Sequence, residues 1–174
     1  MKRNVYVRII IYSMFVLLAI GCSNKDSQVV ELQNYPLDGL AGVITKANIE
    51  LDKEISSDGN GALLIHATEH ATIRLIETGD IDVEQARLIY KAQLKTEDFQ
   101  GQAYLEMLCH FPGKGEFFSR DLQSPIRGST DWVSEETPFY LRKGENPDNV
   151  KLNLVIEGSG TVWIDNIKLL KASL

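Results

Sequence analysis

The sequence predicts an all-β domain, an antiparallel sandwich or barrel, and three observations carry that prediction. Apolar residues recur at every second position in five separate segments, which is the period of a half-buried strand. Clusters of turn-formers divide the segments: Asp58-Gly59-Asn60-Gly61, Pro112-Gly113-Lys114-Gly115, Lys143-Gly144-Glu145-Asn146-Pro147 and Gly158-Ser159-Gly160. Only residues 80–87, DIDVEQAR, have room for a helical turn. Many short strands with turn signals between them make a sandwich or barrel.

The chain opens with Met1-Lys2-Arg3 and a further base at Arg8, then runs apolar from Ile9 to Ile20 before Gly21-Cys22. A basic start, an apolar stretch of about a dozen residues and a small residue before the cut make an export signal. That stretch falls short of the roughly 20 apolar residues of a membrane span. Leu18-Ala19-Ile20-Gly21-Cys22 resembles the lipobox of bacterial lipoproteins. The resemblance implies that residues 1–21 are removed, that the Cys22 sulfur takes a diacylglycerol, and that the new amine is acylated. Several acyl chains hold a domain stably, each buried CH₂ contributing about 0.8 kcal/mol. Residues 22–30 then make a lipidated cysteine and a polar tether, and residues 31–174 a single domain. The implied place is the bacterial cell envelope, with the domain extracytoplasmic. Ser23 after the cysteine resembles the outer-membrane sorting pattern of Gram-negative hosts.

The strands follow in order. ALLIHA (62–67) puts Leu63, Ile65 and Ala67 on one face, and ATIRLIE (71–77) does the same with Ile73 and Leu75. ARLIYKAQL (86–94) gives Leu88, Tyr90, Ala92 and Leu94; QAYLEMLCHF (102–111) gives Ala103, Leu105, Met107, Cys109 and Phe111. NVKLNLVIE (149–157) adds Val150, Leu152, Leu154 and Ile156, and in GSGTVWIDNIKLL (158–170) Val162 and Ile164 oppose Trp163 and Asp165. Trp163 reads as a packing residue, with Ile167 and Leu169 on its own alternation.

These pieces, in this order, resemble the galactose-binding-domain-like jelly roll of many carbohydrate-binding modules. The resemblance covers residues 45–171. It is carried by DGNGALLI (58–65), the paired strands of ARLIYKAQLKTEDFQGQAYLEM (86–107), GSTDW (128–132) before a long strand, and the closing GSGTVWIDNIKLL. It implies an antiparallel β-sandwich of jelly-roll type. It also implies a structural Ca²⁺ with Asp165 as one ligand and further oxygens from residues 47–61, Glu50 or Asp58 among them. Without the ion, Asp165 would cap or hydrogen-bond a neighbouring loop.

Charge narrows the partners. Removing residues 1–21 takes three bases and no acids, leaving 15 bases against 24 acids and a net charge of about −9. Such a surface repels nucleic-acid phosphates, so nucleic acid is excluded as a partner. Beyond Cys22 the one cysteine is Cys109, which allows no disulfide within the domain and reads as a buried, inert thiol.

Catalytic patterns are weak. His66-Ala67-Thr68-Glu69-His70 spells the inverted zinc-protease motif. It falls between two strand patterns, where a four-residue spacing parts the rings by about 13 Å, too far to share an ion. Glu135 and Glu136 are adjacent and point to opposite faces, which defeats the paired-carboxylate geometry of a glycosidase.

The second face of the central strands carries the candidate ligand site. Lys91 and Gln93, Tyr104, Glu106 and His110, and Asn153 lie opposite the core residues, while Tyr140 and Arg142 alternate with Phe139 and Leu141. If the strands are neighbours, these side chains form one polar surface with rings, amides and both charges. Sugars call for that mixture: a ring for the C–H face, and planar groups for paired hydroxyls. The edge segment FPGKGEFFSR (111–120), read as a loop with one phenylalanine inward and one outward, competes for the same role. The expected function is a non-catalytic, membrane-anchored, ligand-binding lipoprotein with a glycan as ligand. The alternatives are an assembly lipoprotein that binds an envelope protein, and a sandwich-type lyase or hydrolase.

Overall fold

The structure is a computed structural model and describes residues 28–79 and 81–174. The export signal, Cys22 and the first part of the tether lie outside the described residues. Eight strands are present: β1 (Val30–Tyr35), β2 (Ile49–Asp52), β3 (Ala62–Ala67), β4 (Ala71–Gly79), β5 (Ala86–Phe111), β6 (Gly115–Arg120), β7 (Thr130–Leu141) and β8 (Asn149–Ala172). All their pairings are antiparallel, in keeping with strands that alternate apolar with polar residues and are joined by short turns.

β5 and β8 organise the fold. They pair along their whole length, from Arg87 opposite Ala172 to His110 opposite Asn149. Neither runs straight. The register shifts between Glu97 and Gln100, and the two strands bend together where Gly101 faces Gly158. A Cβ on Gly101 would stand 2.1 Å from the Glu157 carbonyl oxygen, and one on Gly158 would stand 2.0 Å from that of Gln100. Both glycines have positive φ, 132° and 153°. The backbones touch at the fold line because neither residue carries a side chain.

The bend makes two leaves from one hydrogen-bonded sheet. In the first, the β5 segment 86–97 lies between β7 and the β8 segment 160–172; β3 pairs on the far side of β8 and β2 on β3, while β1 pairs farther along β8. In the second, the β5 segment 100–111 lies between β6 and the β8 segment 149–157, and β4 pairs on the far side of β8. The leaves close over one apolar cluster. Leu88, Tyr90, Leu94, Leu63 and Ile65 of the first leaf and Leu105, Met107, Leu152, Leu154 and Ile156 of the second are all buried in it. Side chains of this size each contribute about 1.5–3 kcal/mol when fully buried. The molecule is an antiparallel β-sandwich, as the sequence predicts.

Three local expectations are corrected. Residues 81–85 form no helical turn; Ile81 and Val83 are buried and lead extended chain into β5. Residues 115–120 form β6, paired to β5 from Glu106↔Arg120 to Phe111↔Gly115, so the Gly113–Gly115 region is only a tight turn. The closing strand also changes register. Gln93 pairs with Asp165 but Lys91 with Lys168, so Asn166 and Ile167 together oppose Ala92. This is a β-bulge with Asn166 at φ 50°. It moves Ile167 and Leu169 off the Trp163 side and into the core beside Val162 and Ile164.

Candidate functional site

The bulge decides what surrounds Asp165. Its carboxylate is fully buried and accepts from the Ser57 amide at 2.8 Å, the Ser57 hydroxyl at 2.7 Å and the Asn166 amide at 2.7 Å. The Asn166 side chain donates to the Ser57 hydroxyl at 2.8 Å, and its amide also meets the Pro36 carbonyl. Three stretches therefore meet here: the chain after β1, the loop 53–61 and the bulge. Burial pushes the Asp165 carboxyl above the usual range, the three hydrogen bonds pull it down, and neighbouring Asp58 raises it again. Carboxylate oxygens of Asp38, Asp58 and Asp165 lie within 4.8 Å of one another. Asp58 was foreseen from sequence; Asp38 was not, and Glu50 sits in β2 opposite Leu64, outside this cluster. Three hard oxygens around one point are a donor set that suits a divalent cation such as Ca²⁺, with loop carbonyls and water to complete six or more ligands.

Trp163 is a packing residue. It is buried, and its indole N–H donates to Asp52 at the end of β2 at 2.9 Å. That bond is the largest influence holding the Asp52 carboxyl below the ordinary range.

The candidate ligand residues divide between two faces. Tyr104, Glu106, His110 and Asn153 point outward from the second leaf; Lys91, Gln93 and Tyr140 point outward from the first, and Arg142 follows at its end. The single surface expected from sequence is corrected to two, on opposite sides of the sandwich. The fold at Gly101 and Gly158 turns the outer sides of the two leaves apart, and the register shift at residues 97–100 keeps the core side inward by exchanging even-numbered for odd-numbered residues of β5.

On the second leaf the outward groups form a ladder of two hydrogen-bonded sets. Asn153 donates to Glu106 at 3.0 Å, and the Arg120 guanidinium donates to the other Glu106 oxygen at 2.5 Å. Tyr104 donates to Glu157 at 2.9 Å, Gln102 donates to the same carboxylate at 2.6 Å, and Arg127 donates to Gln102 at 2.6 Å. Tyr104, Glu106 and Asn153 are buried although they stand on the outer side, covered by their neighbours, and this strip of the second leaf is called the trough. Phe118 of β6 stands above it, 61% exposed, with the Arg120 guanidinium carbon 4.4 Å from its ring centroid. Its neighbour Phe117 turns the other way and meets Phe111 edge-on at 6.0 Å. The ladder sets the charges: hydrogen bonds from Gln102 and Tyr104 hold the Glu157 carboxyl below its ordinary range. Burial and Glu157 together push the Tyr104 phenol up. His110 closes one end, its Nδ1 2.6 Å from Asp148.

On the first leaf Lys91 and Gln93 form the floor of a groove of about 720 Å³, walled by Trp132 of β7, Glu31 of β1, and Lys168 and Leu170 of β8. Tyr140, 61% exposed, pairs with Arg87 toward the far end of the strand, and Arg142 lies in the turn after it; neither lines the groove. Trp132 was not singled out from sequence. Its alternation with Ser134 and Glu136 was the available signal.

The remaining motifs behave as local structure. His66 lies within β3, Glu69 and His70 lie in the connection to β4, and the three do not gather round a metal-sized point. Cys109 is buried in the core and burial pushes its thiol up to about 12, which makes it inert at neutral pH. Glu135 faces inward opposite Ala92 while Glu136 is exposed opposite Lys91. Burial, helped by the Asp121 carboxyl beside it, pushes Glu135 up to about 7.

No family model matches the chain, and no curated protein matches it. Solved structures do. The CBM22-1 xylan-binding domain from Paenibacillus barcinonensis superimposes with a TM-score of 0.58 at 10% identity, covering 85% of this chain and 97% of that one. The CBM22-1–GH10 modules of a Clostridium thermocellum endo-1,4-β-D-xylanase, in complex with xylohexaose, give 0.60 at 9% identity over 83% of this chain and 28% of that one. A family 16 carbohydrate-binding module gives 0.51 at 15% identity over 70% and 84%. The described chain thus has the β-sandwich fold of these carbohydrate-binding modules.

Proposed function

We propose that this protein is a non-catalytic carbohydrate-binding lipoprotein of the bacterial cell envelope, whose glycan lies in the trough of the second leaf. One observation carries the reading. Planar hydrogen-bonding groups are fixed in two sets, Glu106 with Asn153 and Arg120, and Gln102 with Glu157 and Arg127, on the outer side that also carries the exposed Phe118 ring. A sugar ring offers an apolar C–H side and paired hydroxyls. Phe118 answers the first, and the carboxylate and amide edges of Glu106, Asn153 and Glu157 answer the second. Each group is already held by its neighbours, so binding freezes few rotamers. The fold neighbours support the sugar reading through what they bind: xylan for one, xylohexaose for another.

Membrane attachment rests on the Cys22 sequence and is read separately. Cys22→Ala should release the protein from the membrane fraction or stop its processing, and unchanged fractionation refutes lipidation. The cluster of Asp38, Asp58 and Asp165 would hold a structural Ca²⁺ that ties the loop 53–61 to the closing strand. The glycan reading is tested by an array of neutral and charged glycans probed with the full chain in detergent. Binding weakened by Phe118→Ala supports it; silence across the array removes it.

One observation favours a protein partner instead. Phe117, Phe118 and Leu122 are all at least half exposed within a six-residue stretch. If an envelope protein docks there, Leu122→Ser should abolish its capture while glycan binding stays absent.

A further inference from the structure

The groove on the first leaf differs from the trough in one chemical respect. In the trough the polar groups answer one another; in the groove several answer nothing. Lys95, Lys151 and Lys168 each pair with an acid, with Asp131 at 3.3 Å, Glu116 at 2.6 Å and Glu31 at 2.8 Å respectively. Lys91 makes no ion pair or hydrogen bond among the described residues, although Glu136 is its neighbour across β7. On its other side it stands opposite Lys168, a like-charge pairing that an antiparallel sheet ordinarily avoids. Two residues along the same floor, the Gln93 amide is also without a side-chain partner among the described residues, as is the indole N–H of Trp132.

These three side chains line the same cavity. They supply an ammonium, an amide with donors and an acceptor, and a half-buried aromatic wall. Glu31 opposite offers an acceptor but is tied to Lys168, so the net unspent charge in the groove is the Lys91 cation. The protein as a whole is acidic, with a formal net charge of −6. An uncompensated lysine in a groove of such a chain selects for a local negative charge that the surrounding field would otherwise repel.

We propose that the first-leaf groove is a second ligand site, for a sugar that carries a carboxylate. The Trp132 indole takes the C–H side of the ring, the Lys91 ammonium takes the carboxylate, and the Gln93 amide bridges neighbouring hydroxyls. The site is separate from the trough, because the two leaves joined at the Gly101 bend close over one core and face outward on opposite sides of the sandwich. It uses none of the trough residues. It stands whether or not a neutral glycan binds the trough.

The test is calorimetric titration of the full chain in detergent with two linear probes of equal length, hexagalacturonate and xylohexaose, in EDTA. Hexagalacturonate should bind, and binding should weaken as salt is raised. Lys91→Gln and Trp132→Ala should each lower its affinity about tenfold or more, the loss expected for one charge-assisted contact or one ring platform. Both variants should retain the wild-type melting temperature, since both side chains are at the surface of the groove. Phe118→Ala should leave hexagalacturonate binding unchanged, which separates this site from the trough. The proposal is overturned if wild type does not bind hexagalacturonate, or if binding needs calcium and vanishes in EDTA. It is equally overturned if Lys91→Gln and Trp132→Ala bind as wild type, or if Phe118→Ala removes the binding.

Discussion

Arg120 holds two groups at once: its guanidinium donates to Glu106 at 2.5 Å in the trough and lies 4.4 Å from the centroid of the Phe118 ring. Glu106 is nearly buried while Arg120 is partly exposed, so the pair is a surface cation satisfying an interior acid. Removing the cation leaves Glu106 with the Asn153 amide alone. Arg120→Ala should cost about 1–3 kcal/mol, the range for a buried charged group that loses a partner. At about 2–4 °C per kcal/mol for a chain of this size, a melting scan reads it directly. Arg120→Lys should restore only part, because one ammonium cannot both donate to the acid and lie flat on the ring.

The fold line gives a stricter stability prediction. A methyl group on Gly158 would stand 2.0 Å from the Gln100 carbonyl oxygen, and the atom it meets is backbone. Gly158→Ala should destabilise by about 3 kcal/mol or more, through overpacking combined with strain at its positive φ. Gly113→Ala is the control. Its φ is also positive, at 73°, but a Cβ there meets nothing within 4 Å, so only the conformational part, about 1 kcal/mol, should appear in urea unfolding.

Glu135 makes stability depend on pH in a stated direction. Its folded pKa is raised to about 7 from 4.5 by burial and by Asp121. Between those values the folded chain holds a proton that the unfolded chain has released. Its contribution is therefore fully present in acid and is lost as pH rises toward 7. Glu135→Gln should melt like wild type near pH 5 and higher than wild type near pH 8. Equal melting temperatures at both pH values would remove Asp121 and burial as the cause.

How much of this was legible in the sequence can be judged residue by residue. The alternation of Leu88, Tyr90, Ala92 and Leu94, and of Ala103 to Phe111, identified core positions that the structure buries. Trp163 packs as expected, but not beside Ile167 and Leu169, which the bulge moves to the core side. The joins between segments were not legible. The shift between Glu97 and Gln100 and the bulge at Asn166 each move the chain by one position, and one position exchanges the core side for the solvent side. The eight candidate residues do stand away from the core, but they occupy two faces because the sheet folds at Gly101 and Gly158 and its two leaves turn their outer sides apart. Asp38 was missed for a different reason: it lies 127 positions before Asp165, and no spacing rule links a loop after β1 to the last strand.

The acidic cluster predicts a calcium response. Asp38, Asp58 and Asp165 repel one another, and a bound cation would relieve that repulsion while fixing the loop 53–61. At a hundredfold excess over Kd, calcium should stabilise the chain by about 2.7 kcal/mol. Asp58→Asn should remove the response while leaving the Ser57 bonds to Asp165 in place. A melting temperature that is identical in calcium and in EDTA would dismiss the ion.

The central claim is that a glycan is bound in the trough beside Phe118, and the most direct measurement is a glycan array read with wild type and Phe118→Ala in parallel. Phe118 is 61% exposed, so its loss should leave folding intact. The account predicts signal on at least one class of glycan for wild type, reduced about tenfold in affinity by the substitution, as expected when a ring platform is lost. Silence of the wild-type protein on every glycan, or signal that Phe118→Ala leaves unchanged, would contradict it.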